Sequence, residues 1–176
     1  KAATCPGVYR VIQLNRKQAM PDSAVFLSER LFKEGQRTIE FFRALKSDQW
    51  DRIVYTSGPQ WSARDVLAHF VSSEDGYRLL VEDILTGGRG ASEDFDIDEY
   101  NDEKLAGLDG FSRVALMERF VELRQRTVDL VAGLEQDDLG RSGRHPFLGV
   151  APLADIIKLI YRHNQIHQRD LRKVLR

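Results

Sequence analysis

A single cysteine, Cys5, serves the whole 176-residue chain. It rules out an intramolecular disulfide and a cysteine-based metal site, and it fits a reducing compartment. Long hydrophobic runs are missing too. No apolar stretch approaches the ~20 residues that cross a bilayer, and the first residues form neither a signal-peptide core nor an Arg-rich amphipathic presequence. The expectation is a cytoplasmic protein without membrane contact. Charge of one sign is equally scarce, with 26 Lys plus Arg against 27 Asp plus Glu. Without a strong basic field there is little counterion release to gain, so nucleic acid is excluded as an expected partner. Internal repeats and low-complexity tracts are absent as well.

What is present is ordinary globular material, 42% hydrophobic and 30% charged, in a length that suits one domain with a real core. Residues 1–20 carry only a brief apolar patch, Val8 to Leu14, and read as a tail or short edge element. Residues 21–176 read as one domain. From Pro21-Asp22-Ser23, a helix-start signal, apolar residues recur at Val25, Phe26, Leu31, Phe32, Ile39, Phe42 and Leu45, which predicts a first helix. A connector over 47–60 follows, with a short extended piece at Arg52 to Thr56.

Trp61-Ser62-Ala63-Arg64-Asp65 opens a second helix: Ser62 can cap it, and Asp65 favours the exposed first-turn amides. That helix runs to Gly87-Gly88, with Val66, His69, Phe70, Ser73, Tyr77, Leu80, Val81 and Ile84 on its inward stripe. An acidic connection over 89–109 holds a short helix at Ile97 to Ala106. A third helix spans Phe111 to Glu135, with Val114, Met117, Phe120, Val121, Arg124, Val128 and Val131 at helical spacing. After a loop over 136–151, a fourth helix begins near Pro152 and runs to about Val174.

Three of the four histidines draw attention. His163 and His167 stand four residues apart, on one helix face and about 6 Å apart at Cβ. That face otherwise holds Ile156, Ile160, Leu171 and Val174, so both rings point where an apolar residue would sit. Burying two imidazoles without partners costs on the order of a few kcal/mol, and a shared metal ion would compensate them. His69 on the second helix supplies a third nitrogen and leaves coordination positions for water or substrate. The bland alternative is a hydrogen-bonded core histidine. The three rings meet at one depth most easily if the second and fourth helices run antiparallel. The order is then up-down-down-up, with a long crossover between the second and third helices. Such a crossover must travel on the order of 35 Å, and the 89–109 segment, at up to ~3.4 Å per residue, is long enough.

The segments WSARDVLAHF (61–70), FDIDEYN (95–101), HPFLG (145–149) and RHNQIHQRDL (162–171) together resemble the DinB/YfiT-like superfamily, over about residues 22–175. The resemblance implies an all-α, up-down-down-up four-helix bundle and a metal triad on His69, His163 and His167. It also implies relation to thiol-dependent transferases and maleylpyruvate isomerase.

Three neutral imidazoles leave the charge of a divalent ion uncompensated, which lowers the pKa of a water or thiol and polarises a carbonyl. Nickel or zinc is the expected metal, with iron, manganese and copper also accepted by such donors. Two enzyme readings follow for a small-molecule substrate. A low-molecular-weight thiol attacks a small electrophile in transfer or isomerisation, which the resemblance places ahead. Alternatively, activated water hydrolyses an amide, ester or strained ring. A non-catalytic metal-binding or small-molecule-binding protective protein and a plain interaction module compete with both.

Ser73, Tyr77 and Asn101 are expected to line the pocket. Tyr77 could equally be a core aromatic, and Asn101 a turn or cap residue. Asp170, Asp65 or Glu74 could orient an imidazole or simply be surface charge. His145, in a loop before Pro146, is not expected to ligate. The basic end, Arg169, Arg172, Lys173 and Arg176, could attract an anionic thiol or merely complement the helix dipole. A homodimer through an exposed bundle face is compatible with this pattern, which fixes nothing further.

Overall fold

In a computed structural model, the described residues are 23–56, 58 and 60–176; the tail or edge element expected over 1–20 lies outside them. The first helix, α1, covers Ala24–Arg43, and the Ser23 hydroxyl accepts the Phe26 N–H at 3.2 Å. The second, α2, covers Ala63–Leu85. It opens on the expected Ser62 cap, made reciprocal: the Ser62 hydroxyl accepts the Asp65 N–H and Asp65 accepts the Ser62 N–H at 2.9 Å. Asp96 and Ser112 cap α3 (Ile97–Ala106) and α4 (Arg113–Ala132) one way, their side chains accepting first-turn N–H groups that the helix itself cannot pair.

The segment expected as a loop over 136–151 is more ordered than that. It holds a single helical turn, α5 (Gln136–Leu139), then an antiparallel hairpin of β1 (Ser142–His145) and β2 (Gly149–Pro152), with His145 opposite Gly149. Strands of four residues are too short to display a period of two. Gly149 takes φ 66° at the return, a conformation that glycine adopts without steric cost. The last helix, α6 (Leu153–Val174), follows directly.

Four long helices make the bundle, with α1 and α2 each packed against both α4 and α6. Contacts along α1 and α6 climb together, Arg30 with Tyr161, Thr38 with Gln168 and Phe41 with Arg172, so these two run parallel. The pairs Phe70–Phe120 and Glu74–Arg124 set α2 parallel to α4. Phe70 meets His167 whereas Tyr77 meets His163, so α2 and α6 are antiparallel. These directions give the up-down-down-up order, and the crossover between α2 and α4 carries α3.

Two apolar clusters fill the interior, one around Phe42, Trp61, Phe70 and Phe120, the other around Leu31, Val81, Ile156 and Ile160. Several expected stripe residues fall outside them. Val25, Phe26 and Phe32 are exposed on α1, where Leu27, Leu31, Ile39 and Phe42 face inward, and Val114 and Val121 are exposed on α4, where Leu116, Phe120 and Leu123 are buried. Fourfold spacing selected the true face, and the remaining apolar residues lie off it.

The crossover is pinned at both ends. Arg64 Nη2 donates to the carbonyls of Leu108, Asp109 and Phe111. At the other end Gly90 bridges Arg144 of β1, where the Ala91 N–H donates to the Arg144 carbonyl at 2.9 Å and the Arg144 N–H to the Arg89 carbonyl at 2.8 Å. Gly90 has φ 82° and sits directly against the Arg144 backbone, leaving no room for a Cβ. The connector before α2 is extended as expected: the Val54 N–H donates to the Trp61 carbonyl at 2.7 Å and Ile53 bridges Ser62. This lays Tyr55 over α6.

Candidate metal centre and its cavity

The antiparallel crossing of α2 and α6 brings His69, His163 and His167 together in the interior, at 4%, 5% and 1% exposure. His163 Nε2 lies 2.9 Å from His69 Nε2 and 3.0 Å from His167 Nε2. Burial pushes the pKa of all three rings well below the ordinary histidine range, and the neighbouring imidazole adds to the shift in each case. The rings are therefore neutral at pH 7, the form in which imidazole ligates a metal.

Together the three form a group whose ligating atoms lie within 4.8 Å of one another. Two nitrogens about 2.1 Å from a shared ion stand roughly 3.0–3.4 Å apart for angles between a right angle and the tetrahedral one, close to the two short separations. One proton on the central His163 Nε2 can serve only one of its two neighbours. A divalent cation answers several lone pairs at once, so the donor set fits.

Around the triad, Tyr55 Oη stands 2.5 Å from His167 Nδ1 and donates to Asp170 Oδ2 at 3.4 Å. With His167 Nε2 turned to the centre, Nδ1 carries the proton and donates it to Tyr55. Asp170 therefore acts one residue removed from the imidazole it was expected to orient. Tyr55 itself escaped the sequence reading, because its contact spans 112 residues and needs the connector's path. The other two expected orienting acids are engaged elsewhere, Asp65 in the α2 cap and Glu74 with Arg124. The basic end of α6 stands apart from the cavity, with Arg172 over Phe41 and Lys173 paired to Asp170.

His69 and His163 open onto a cavity of about 340 Å³ between α2, α3 and the hairpin. Ser73, Tyr77 and Asn101 all line it, with Ser73 Oγ 3.4 Å from the His69 ring nitrogens. Burial pushes the Tyr77 hydroxyl pKa upward, reinforced by Glu74, so it stays protonated. His145 also lines the cavity, stacked on Tyr77 with ring centres 5.5 Å apart. It stands outside the group of three converging rings, and its place is fixed by β1 rather than left to a free loop.

With this geometry in view, the likenesses to known proteins gain meaning. The family model of the DinB superfamily matches residues 30–171. The chain belongs to the DinB superfamily. No curated protein matches it. Among solved structures, YfiT from Bacillus subtilis, described as "a probable metal-dependent hydrolase with an unusual four-helix bundle topology", superposes with a TM-score of 0.72 at 16% identity, covering 91% of this chain and 90% of that one. An uncharacterised protein from Escherichia coli UTI89 gives 0.69 at 13% identity over 88% and 94%. The colibactin self-resistance protein ClbS, crystallised with double-stranded DNA, gives 0.66 at 14% identity over 89% and 97%. Likeness at these identities speaks for the DinB fold.

The ClbS complex overturns the exclusion of nucleic acid, since a protein of this architecture holds a DNA duplex. Net charge sums over the whole surface and is blind to how local charge is arranged, so near-neutrality was never sufficient ground. Among the described residues no helix is long and apolar enough to cross a membrane.

Proposed function

We propose that this DinB-superfamily chain is a divalent-metal-dependent hydrolase of a small, uncharged and largely apolar molecule. The observation that carries the reading is the cavity itself, which runs from the faces of His69 and His163 along walls of Tyr77, Phe95, Tyr100 and Phe147 and counts no lysine or arginine among its lining residues. A low-molecular-weight anionic thiol would need cationic partners for its carboxylates, and the lining offers only Asp83 as a charged group. That feature favours hydrolysis over the thiol transfer or isomerisation implied by the sequence resemblance.

A divalent ion on the triad, with nickel or zinc best suited to three imidazoles, supplies Lewis acidity that polarises a carbonyl or acidifies a water. The chain's own groups do the rest. Tyr55 fixes the tautomer of His167, the aromatic walls hold the apolar body of the substrate and exclude bulk water, and Ser73 places a hydroxyl beside the His69 ring.

Elemental analysis of gently purified protein beside the His163→Ala variant is the first test, with about one ion per chain expected in the parent and a clear loss in the variant. Parent protein free of metal even after incubation with nickel or zinc would sink the reading. Metal-loaded parent that turns over thiol plus electrophile, yet leaves uncharged aryl esters and amides intact, would restore thiol transfer.

A further inference from the structure

Two polar side chains lining the cavity have, among the described residues, no hydrogen-bond partner for the groups they bring to it, and they come from different elements. His145, on β1, is 4% exposed, and Asn101, the one buried residue of α3, is 7% exposed. His145 Nδ1 accepts the Phe147 N–H at 3.1 Å. In the neutral ring the proton therefore sits on Nε2, and burial, by lowering the His145 pKa to about 4, keeps the ring neutral at pH 7. Nε2–H meets no acceptor among the described residues, and neither the amide oxygen nor the amide nitrogen of Asn101 is bonded there. Neither group is among the fully enclosed polar atoms that lack a partner, so both stay open to the cavity, where an incoming polar group can pair with them.

We propose that His145 and Asn101 form a polar subsite for a neutral carboxamide-like or carbonyl group of the substrate, in which His145 Nε2–H donates to the carbonyl oxygen and Asn101 supplies both an acceptor and a donor. The inference rests on the reading of this cavity as the substrate site and deepens it by naming the group that the site recognises. Geometry places the subsite beside the triad: the Tyr77 ring lies 5.5 Å from the ring of His145 and 6.1 Å from that of His163. A flat apolar body fits against Tyr77 and Phe147 while its polar end reaches the two unpaired side chains. An amide or ketone pairs with them, and a hydrocarbon of equal shape leaves them stranded, which is how buried polar groups discriminate.

The test compares benzamide with α-methylstyrene, its hydrocarbon match in shape, by calorimetric or NMR titration of the full chain. Benzamide is expected to bind at least about fivefold more tightly to the parent. His145→Phe and Asn101→Leu should each remove roughly fivefold of that preference, as loss of one hydrogen bond does. Neither should weaken α-methylstyrene, and His145→Gln, which keeps a donor, should restore part of the preference. Equal binding of the two fragments by the parent, binding of neither, or a preference untouched in both variants would overturn the subsite. The readout needs neither metal nor turnover. Absence of metal or hydrolysis would therefore sink the hydrolase reading alone, and equal fragment binding would sink the subsite alone.

Discussion

Glu74 lies five residues beyond His69 on α2, yet the two belong to buried polar clusters that are completed in opposite ways. Arg124 directs Nε and Nη2 to Glu74 Oε2, at 2.8 and 2.6 Å, and Nη1 to the Leu31 carbonyl at 3.0 Å. Opposite charges, a backbone acceptor and the Phe120 ring beneath the guanidinium close that cluster almost entirely within the protein. The histidine cluster sets three like groups around one point, with the Tyr55 hydroxyl on His167 Nδ1, the Ser73 hydroxyl beside His69 and, among the described residues, nothing of opposite charge at the centre. A cluster that answers its own charge supports the fold, and one whose lone pairs converge unanswered calls for an ion.

The sharpest way to break this contrast is Glu74→Ala. Leaving Arg124 buried without its carboxylate is expected to cost about 3–5 kcal/mol in urea denaturation, while folded protein keeps its metal. A loss below about 1 kcal/mol would make the pair dispensable and the comparison empty.

Acid attacks the histidine side instead. Buried imidazoles have folded-state pKa values below the unfolded value near 6.5, so as pH falls the unfolded chain takes up protons first. Stability is then full above about pH 6.5 and lost below it. With its pKa lowered to about 4, His145 alone accounts for roughly 3 kcal/mol between pH 6.5 and 4, and the triad adds in the same direction. Denaturation of chelator-treated protein across that range measures the slope, and a flat profile would contradict the burial of neutral rings.

Tyr55→Phe probes the same side more gently. Removing the hydroxyl from His167 Nδ1 should weaken metal binding by about 10–100-fold with the fold kept, read by competition with a chelator. Unchanged affinity would reduce Tyr55 to packing. The smallest effect on stability is expected for His163→Leu. Metal binding should vanish, yet metal-free stability should shift by no more than about 1 kcal/mol, because an apolar side chain replaces a buried polar one that the fold does not need. A loss of several kcal/mol would mark the triad as a structural element like the Glu74–Arg124 pair.

The triad was legible because helical periodicity reports facing directly: His69, His163 and His167 occupy stripe positions of two long helices, and antiparallel packing does the rest. The α2 cap and the bounds of α3 were legible for a similar reason, since Ser62, Asp65 and Asp96 act on amides within three residues. Tyr55 was not, because a connector has no period and its partner lies on the last helix. His145 was undervalued on the assumption that a Pro-containing loop leaves its histidine unplaced, whereas pairing with Gly149 fixes it. On α1 the abundance of apolar residues blurred the face, and Val25, Phe26 and Phe32 proved to be outside it.

α3 is tethered at both ends of its crossover and buries only Asn101 of its own residues. Lifting this segment frees side chains that are only partly buried, Ile97, Tyr100 and Leu105 among them, and leaves all four long helices packed, so its opening free energy sits below that of global unfolding. Backbone amides of Ile97 to Ala106 are therefore expected to exchange with solvent deuterium well before those of α2 and α6. A molecule can reach a site deep in a stable bundle at the modest free energy of one detached ten-residue segment.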